Sequence, residues 1–141
     1  MSRSVDIDLT FERSFNVSAC VRLLLEAGMR PLPGEVSYLI DEDGMFDWQK
    51  RDDARLNEVV SALGSERVRD RTVGITLYFP ESSSGADFLF HPGRDSVSCV
   101  ISVNPKFLEG SVFCDIGWYA ARLIPWLTPL GLIAVETRDV K

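Results

Sequence analysis

The sequence predicts an α+β domain: one mostly antiparallel, twisted sheet with its helices packed on one face. Three observations predict it. Three short runs rich in β-branched and aromatic residues, Thr72–Phe79, Asp87–Phe90 and Ser96–Val103, are separated by turn-forming segments and read as an antiparallel meander. Helical patterns lie on both sides of that meander in the chain, which implies one covered sheet face and one open face. No strand–helix alternation of the kind that builds a parallel sheet recurs.

The elements follow in order. Ser4–Glu12 alternates Val5, Ile7, Leu9 and Phe11 against Asp6, Asp8, Thr10 and Glu12, the pattern of a half-buried strand. Asn16 or Ser18 can cap a helix whose apolar stripe is Val17, Val21, Leu24 and Leu25, and Gly28, Pro31 and Pro33 end it. Glu35–Gln49 reads as a hairpin. Val36, Tyr38 and Ile40 lead to Asp43-Gly44, where glycine accepts positive φ, and Met45–Gln49 returns. Asp52 or Asp53 then caps a second helix with Leu56, Val59, Val60 and Leu63 inward, ended by Gly64. Ser65–Arg71 is a charged connection into the meander. Asp115 opens a third helix, Ile116–Leu127, which Pro125 is expected to end or kink. Leu132–Glu136 is the final strand, and a parallel pairing for it stays open. The order is β-α-ββ-α-βββ-α-β.

Composition narrows the function classes. The 141 residues fit one domain, 1–141, with 45% hydrophobic and 26% charged residues. No run approaches the length of a membrane span, and Met1–Asp8 has no apolar core of a signal peptide, so a cytoplasmic, non-membrane protein is expected. Cys20, Cys99 and Cys114 form no CxxC pair and read as buried apolar residues. Net charge is −6. Residues 1–62 hold twelve acids against seven bases, while 63–141 hold nine against eight. Asp41, Glu42, Asp43, Asp47, Asp52 and Asp53 concentrate the excess, opposed locally only by Lys50 and Arg51. Such a surface repels nucleic acid and steers a basic protein toward it.

Chemistry-bearing patterns are sparse. Asp41, Asp43 and Asp47 surround Gly44 as in a calcium loop, but no glutamate closes the loop and strands flank it, so no metal is expected. His91, the sole histidine, lies in the turn His91-Pro-Gly-Arg-Asp95 without a nucleophile signature. Glycine-rich phosphate loops are missing, and neither a cofactor nor a catalytic residue is expected. Trp48, beside Asp47, is an aromatic flanked by carboxylates, the composition of an anchor for a basic partner.

In size, negative charge and irregular α+β layout, the chain resembles bacterial immunity proteins, which block a co-encoded toxin. The resemblance implies a non-catalytic protein with a basic toxin domain as partner. On the charge pattern, Asp41, Glu42, Asp43, Asp47 and Trp48 form the expected interface, with Asp52 and Asp53 at its rim. Two alternatives remain. One is a small-molecule or enzymatic site on the open sheet face, lined by Tyr38, Trp48, Tyr78, His91 and Arg122. The other is a structural subunit of a larger assembly.

Overall fold

Alternation in the first strand sets the geometry of the whole molecule. In the computed structural model, which describes residues 5–140, Val5, Ile7, Leu9 and Phe11 of β1 (Val5–Phe11) are buried while Asp8 and Thr10 are exposed. Ser4, expected in this strand, and the rest of Met1–Ser4 lie outside the described residues. The same period of two runs through β4 (Val73–Tyr78), β5 (Gly85–Phe90) and β6 (Ser96–Val103). Their inward residues, including Ile75, Leu77, Phe88, Phe90, Val97 and Cys99, merge into one core.

Three helices close that core from one side: α1 (Val17–Glu26), α2 (Leu56–Leu63) and α3 (Ile116–Leu127). Their buried residues, among them Val21, Leu24, Leu63, Tyr119 and Leu123, belong to the same cluster. Asn16 caps α1 by accepting the Ala19 N–H, and Asp115 caps α3 by accepting that of Trp118. Pro125 neither ends nor visibly stops α3, which continues to Leu127. Its missing N–H falls in the last turn and removes one bond near the helix end.

The sheet has seven strands in the order β3-β2-β4-β5-β6-β1-β7, with β2 (Val36–Ile40), β3 (Trp48–Arg51) and β7 (Leu132–Asp139) completing it. Every pairing is antiparallel. The final strand therefore returns beside β1 without a parallel pair. It runs on to Asp139, three residues past the expected Glu136, because β1 offers partners as far as Val5. The hairpin return starts at Trp48, later than the expected Met45. Asp41 Oδ1 accepts the N–H groups of Gly44 (2.8 Å) and Phe46 (3.3 Å), and Phe46 takes φ 53°, so the turn consumes residues through Asp47. Before α2 a 3₁₀ turn, Asp53–Arg55, intervenes; Asp52 caps that turn through the Ala54 N–H, so the α-helix itself begins at Leu56.

One buried charge ties the turn regions together. Arg94, 7% exposed, donates to Phe90 O (2.9 Å) and Val68 O (2.7 Å). Burial lowers its pKa, and the nearby Asp70 carboxylate acts against that shift.

All three cysteines are buried. Desolvation pushes the Cys20 thiol up to about 12 and raises that of Cys99, which the carboxylates of Asp87, Asp6 and Asp8 raise further. A thiol that ionises in the unfolded chain but not in the folded one makes stability fall as pH rises above its ordinary value of 9.0. Urea unfolding under reducing conditions is expected to show constant thiol-linked stability below pH 9.0 and, above it, a loss approaching about 1.4 kcal/mol per pH unit for each of Cys20 and Cys99. Cys20→Ala should flatten that slope.

Candidate functional site

Because all three helices share one face, the opposite face of the sheet is open among the described residues, and its residues are fixed by strand register. One row crosses all seven strands: Trp48, Leu39, Gly74, Leu89, Ser98, Asp8 and Glu136. The row changes character along its length. It is apolar from Trp48 to Leu89 and polar, then acidic, from Ser98 to Glu136.

The apolar end is built around a missing side chain. A Cβ on Gly74 would stand 2.9 Å from Leu89 Cδ2 and 3.2 Å from Trp48 Cη2, so the indole lies across the sheet where glycine leaves room. Leu39 is fully buried although it faces this side, flanked in register by Trp48 and Gly74. Trp48 itself keeps 36% of its surface exposed, a rigid aromatic platform at the sheet margin.

The polar end is a hydrogen-bonded chain. Ser98 Oγ donates to Asp8 Oδ1 at 2.8 Å and lies 2.7 Å from His91 Nε2. Since the hydroxyl proton goes to Asp8, Nε2 is the donor to Ser98. A nucleophilic serine instead gives its proton to an imidazole oriented by a carboxylate. Here serine stands between the other two, and its hydroxyl proton is directed to the carboxylate. A neighbouring row places Thr76, Asp87, Val100, Asp6 and Arg138 side by side, and Thr76 Oγ1 donates to Asp87 Oδ1 at 2.7 Å. Four carboxylates, of Asp6, Asp8, Asp87 and Glu136, thus share this face.

The hairpin acids lie beside the Trp48 end, and most of them have local duties. Asp41 and Asp43 accept N–H groups within the turn, Asp43 from Met45 at 2.9 Å. Asp52 caps the 3₁₀ turn, and Asp53 Oδ2 accepts the Gly34 N–H at 2.8 Å. Glu42 pairs with Arg67 at 2.9 Å, and its carbonyl accepts from Arg71. Asp47 is exposed. All seven residues of the expected interface are at or near the surface, and six of them lie on the hairpin or the turn after β3, off the sheet face that carries Trp48.

Two residues expected on the open face lie elsewhere. Tyr38 shares the inward parity of Val36, is buried, and its hydroxyl accepts from Arg51 Nε and bonds Gln49 Oε1, both at 3.1 Å. Arg122 belongs to α3 and stacks over Trp118 at 3.8 Å. Tyr78 and His91 do line the open side. Asp6, Asp8 and Asp87 are the residues that sequence reasoning passed over. The alternation of Asp6 and Asp8 against Ile7 and Leu9 carried the signal, but their convergence with Asp87 needs the strand order.

Two cavities, of about 300 and 290 Å³, lie away from this face. The first is bounded by Asn16, Gly64, Arg69, Asp70 and Arg94, the second by Tyr38, Gln49, Arg51, Glu58 and Arg67. Among the described residues no group of three or more His, Cys, Asp or Glu is placed to hold a metal ion, and no helix is long and apolar enough to cross a membrane. No protein-family model, curated protein or solved structure matches the chain.

Gly74→Ala is expected to crowd the Phe88 carbonyl and the Leu89 side chain, each 2.9 Å from the new Cβ, and to shift the Trp48 indole, 3.2 Å away. Overpacking at such a contact costs about 1–3 kcal/mol. Thermal unfolding should register the loss, together with an intensity and wavelength change in tryptophan fluorescence that is absent in a Trp48→Phe background.

Proposed function

We propose that this chain is a non-catalytic protein-binding domain of the immunity type, which neutralises a basic toxin domain by covering it with the acidic surface around Trp48. The observation that carries the reading is the row from Trp48 to Glu136: an aromatic platform continuous with a field of carboxylates on an otherwise uncovered sheet face. A basic protein is attracted over distances of about a Debye length by the four face carboxylates and by Asp41, Glu42, Asp43 and Asp47 of the hairpin. Trp48, lying over Gly74 in register with Leu39, supplies the desolvated anchor. Asp52 and Asp53 stand at the rim, where charge alters association more than dissociation. The serine-centred order of Asp8, Ser98 and His91 favours binding over hydrolysis.

The test begins with capture from the source organism's lysate at low salt. A single stoichiometric basic protein, released at high salt, is the expected result. Against that protein, Trp48→Ala should raise the dissociation rate at least about tenfold, as loss of an anchoring aromatic does. Asp8→Asn combined with Asp87→Asn should slow association and flatten its salt dependence while leaving dissociation nearly unchanged. Thermal melts of the variants separate these effects from unfolding. Unchanged kinetics in both variants would refute the assignment of this face.

A further inference from the structure

The cavity between the start of α1 and the 3₁₀ turn Glu66–Val68 is walled by segments far apart in the chain. Residues of 14–17, 63–70 and 93–94 enclose about 300 Å³, the small end of the range for ligand cavities. Hydrogen bonds hold these walls together. Phe15 N–H donates to Arg94 O at 2.8 Å, Ser14 Oγ to Gly93 O at 2.7 Å, and Asn16 Nδ2 to Gly64 O at 3.3 Å.

Arg94 forms the inner wall. Among the described residues it is the one buried charged side chain, and it takes part in no ion pair. A buried cation is costly unless an anion or a full set of acceptors meets it. Of the five N–H groups of a guanidinium, one on Nη1 reaches Phe90 O and one on Nη2 reaches Val68 O. The Nε–H has no acceptor among the described residues. No fully buried side-chain nitrogen lacks a partner there, so Nε opens onto accessible space. The backbone also leaves its easiest conformation to place arginine here. Gly93 and Arg94 take φ of 94° and 53°, the second at a position that glycine or asparagine fills at less cost.

Charge around the cavity is balanced without being fully paired. Glu66 and Arg69 engage one another at 3.2 Å, which leaves Arg94 and Asp70. Asp70 is exposed and makes no side-chain hydrogen bond or ion pair among the described residues. It lies within electrostatic reach of Arg94 but beyond ion-pair distance. Phe15, Val17 and Leu63 add apolar wall.

We propose that this cavity binds a free α-amino acid with an apolar side chain, its carboxylate on Arg94 and its ammonium on Asp70. The carboxylate supplies acceptors that the guanidinium lacks, in charge-assisted hydrogen bonds. The ammonium meets the remaining anion, and the side chain lies against Phe15, Val17 and Leu63. Inorganic phosphate satisfies Arg94 but stands against Asp70 and Glu66. A simple amine satisfies Asp70 and leaves Arg94 uncompensated. The cavity lies away from the sheet face that carries Trp48, so the inference stands independently of the basic-partner reading.

Isothermal titration calorimetry of the full chain near neutral pH tests it, with L-leucine, L-valine and L-methionine as probes. Saturable one-to-one binding of at least one of them is expected. The N-acetyl derivative of that amino acid lacks the ammonium, and its carboxamide lacks the carboxylate. Each should bind at least about tenfold more weakly, the scale of a lost charge-assisted hydrogen bond, as should inorganic phosphate. Arg94→Gln also forfeits the bonds to Phe90 O and Val68 O, so exposed Asp70 carries the mutational test. Asp70→Asn should keep the wild-type melting temperature and weaken binding at least about tenfold. A wild-type chain that binds none of the three amino acids in the millimolar range would overturn the proposal. So would derivatives or phosphate that bind as tightly as the amino acid, or an Asp70→Asn variant that binds like wild type.

Discussion

Everything in this molecule depends on a seven-stranded sheet burying one face only. Period-two alternation gives each central strand an apolar side and a second side that faces water. Helices α1, α2 and α3 supply cover for the apolar side alone. The hydrophobic gain of that burial, about 25 cal/mol per Å² of apolar surface, holds the strands in a single register, since a one-residue slip would turn Ile7, Leu9, Phe88 and Cys99 to solvent. Register then determines, with no further freedom, what the open face presents. Asp8, Ser98, Leu89, Gly74 and Leu39 share a row because their inward neighbours must share a core.

That constraint explains what could be read from the residues and what could not. The alternation of Val5 to Phe11, the stripes of α1 and α2, and the meander were legible because they are local patterns. The late start of β3 was not, since it rests on the Asp41 carboxylate accepting two N–H groups beyond Gly44. The persistence of α3 through Pro125 reflects a proline close enough to the helix end to cost one bond. Tyr38 was misplaced although its parity with Val36 was visible. The open-face row was beyond reach for a different reason. It unites residues 8, 39, 48, 74, 89, 98 and 136, and β1 is inserted between β6 and β7, a pairing no local pattern encodes.

The acidic segment 41–53 takes on a double character in this light. Asp41, Asp43, Asp52 and Asp53 shape the backbone by accepting its N–H groups, which fixes their charges at defined positions on the surface. A rigid array of charge steers a partner better than a mobile one, because no ordering entropy is lost on contact. Trp48 links that array to the sheet: it begins β3, reaches over Gly74, and stands in the same row as Asp8 and Glu136. The surface is thus continuous from hairpin to β7, with Trp48 near one end.

The most direct measurement is carbodiimide footprinting of carboxylates by mass spectrometry, on the chain alone and with the captured basic protein bound. Protection of Asp8, Asp87 and the hairpin acids, with Glu12, Glu26 and Glu109 still labelled, is the outcome the open-face account predicts. Protection confined to the helix-bearing side, with Asp8 and Asp87 labelled as in the free chain, would contradict it.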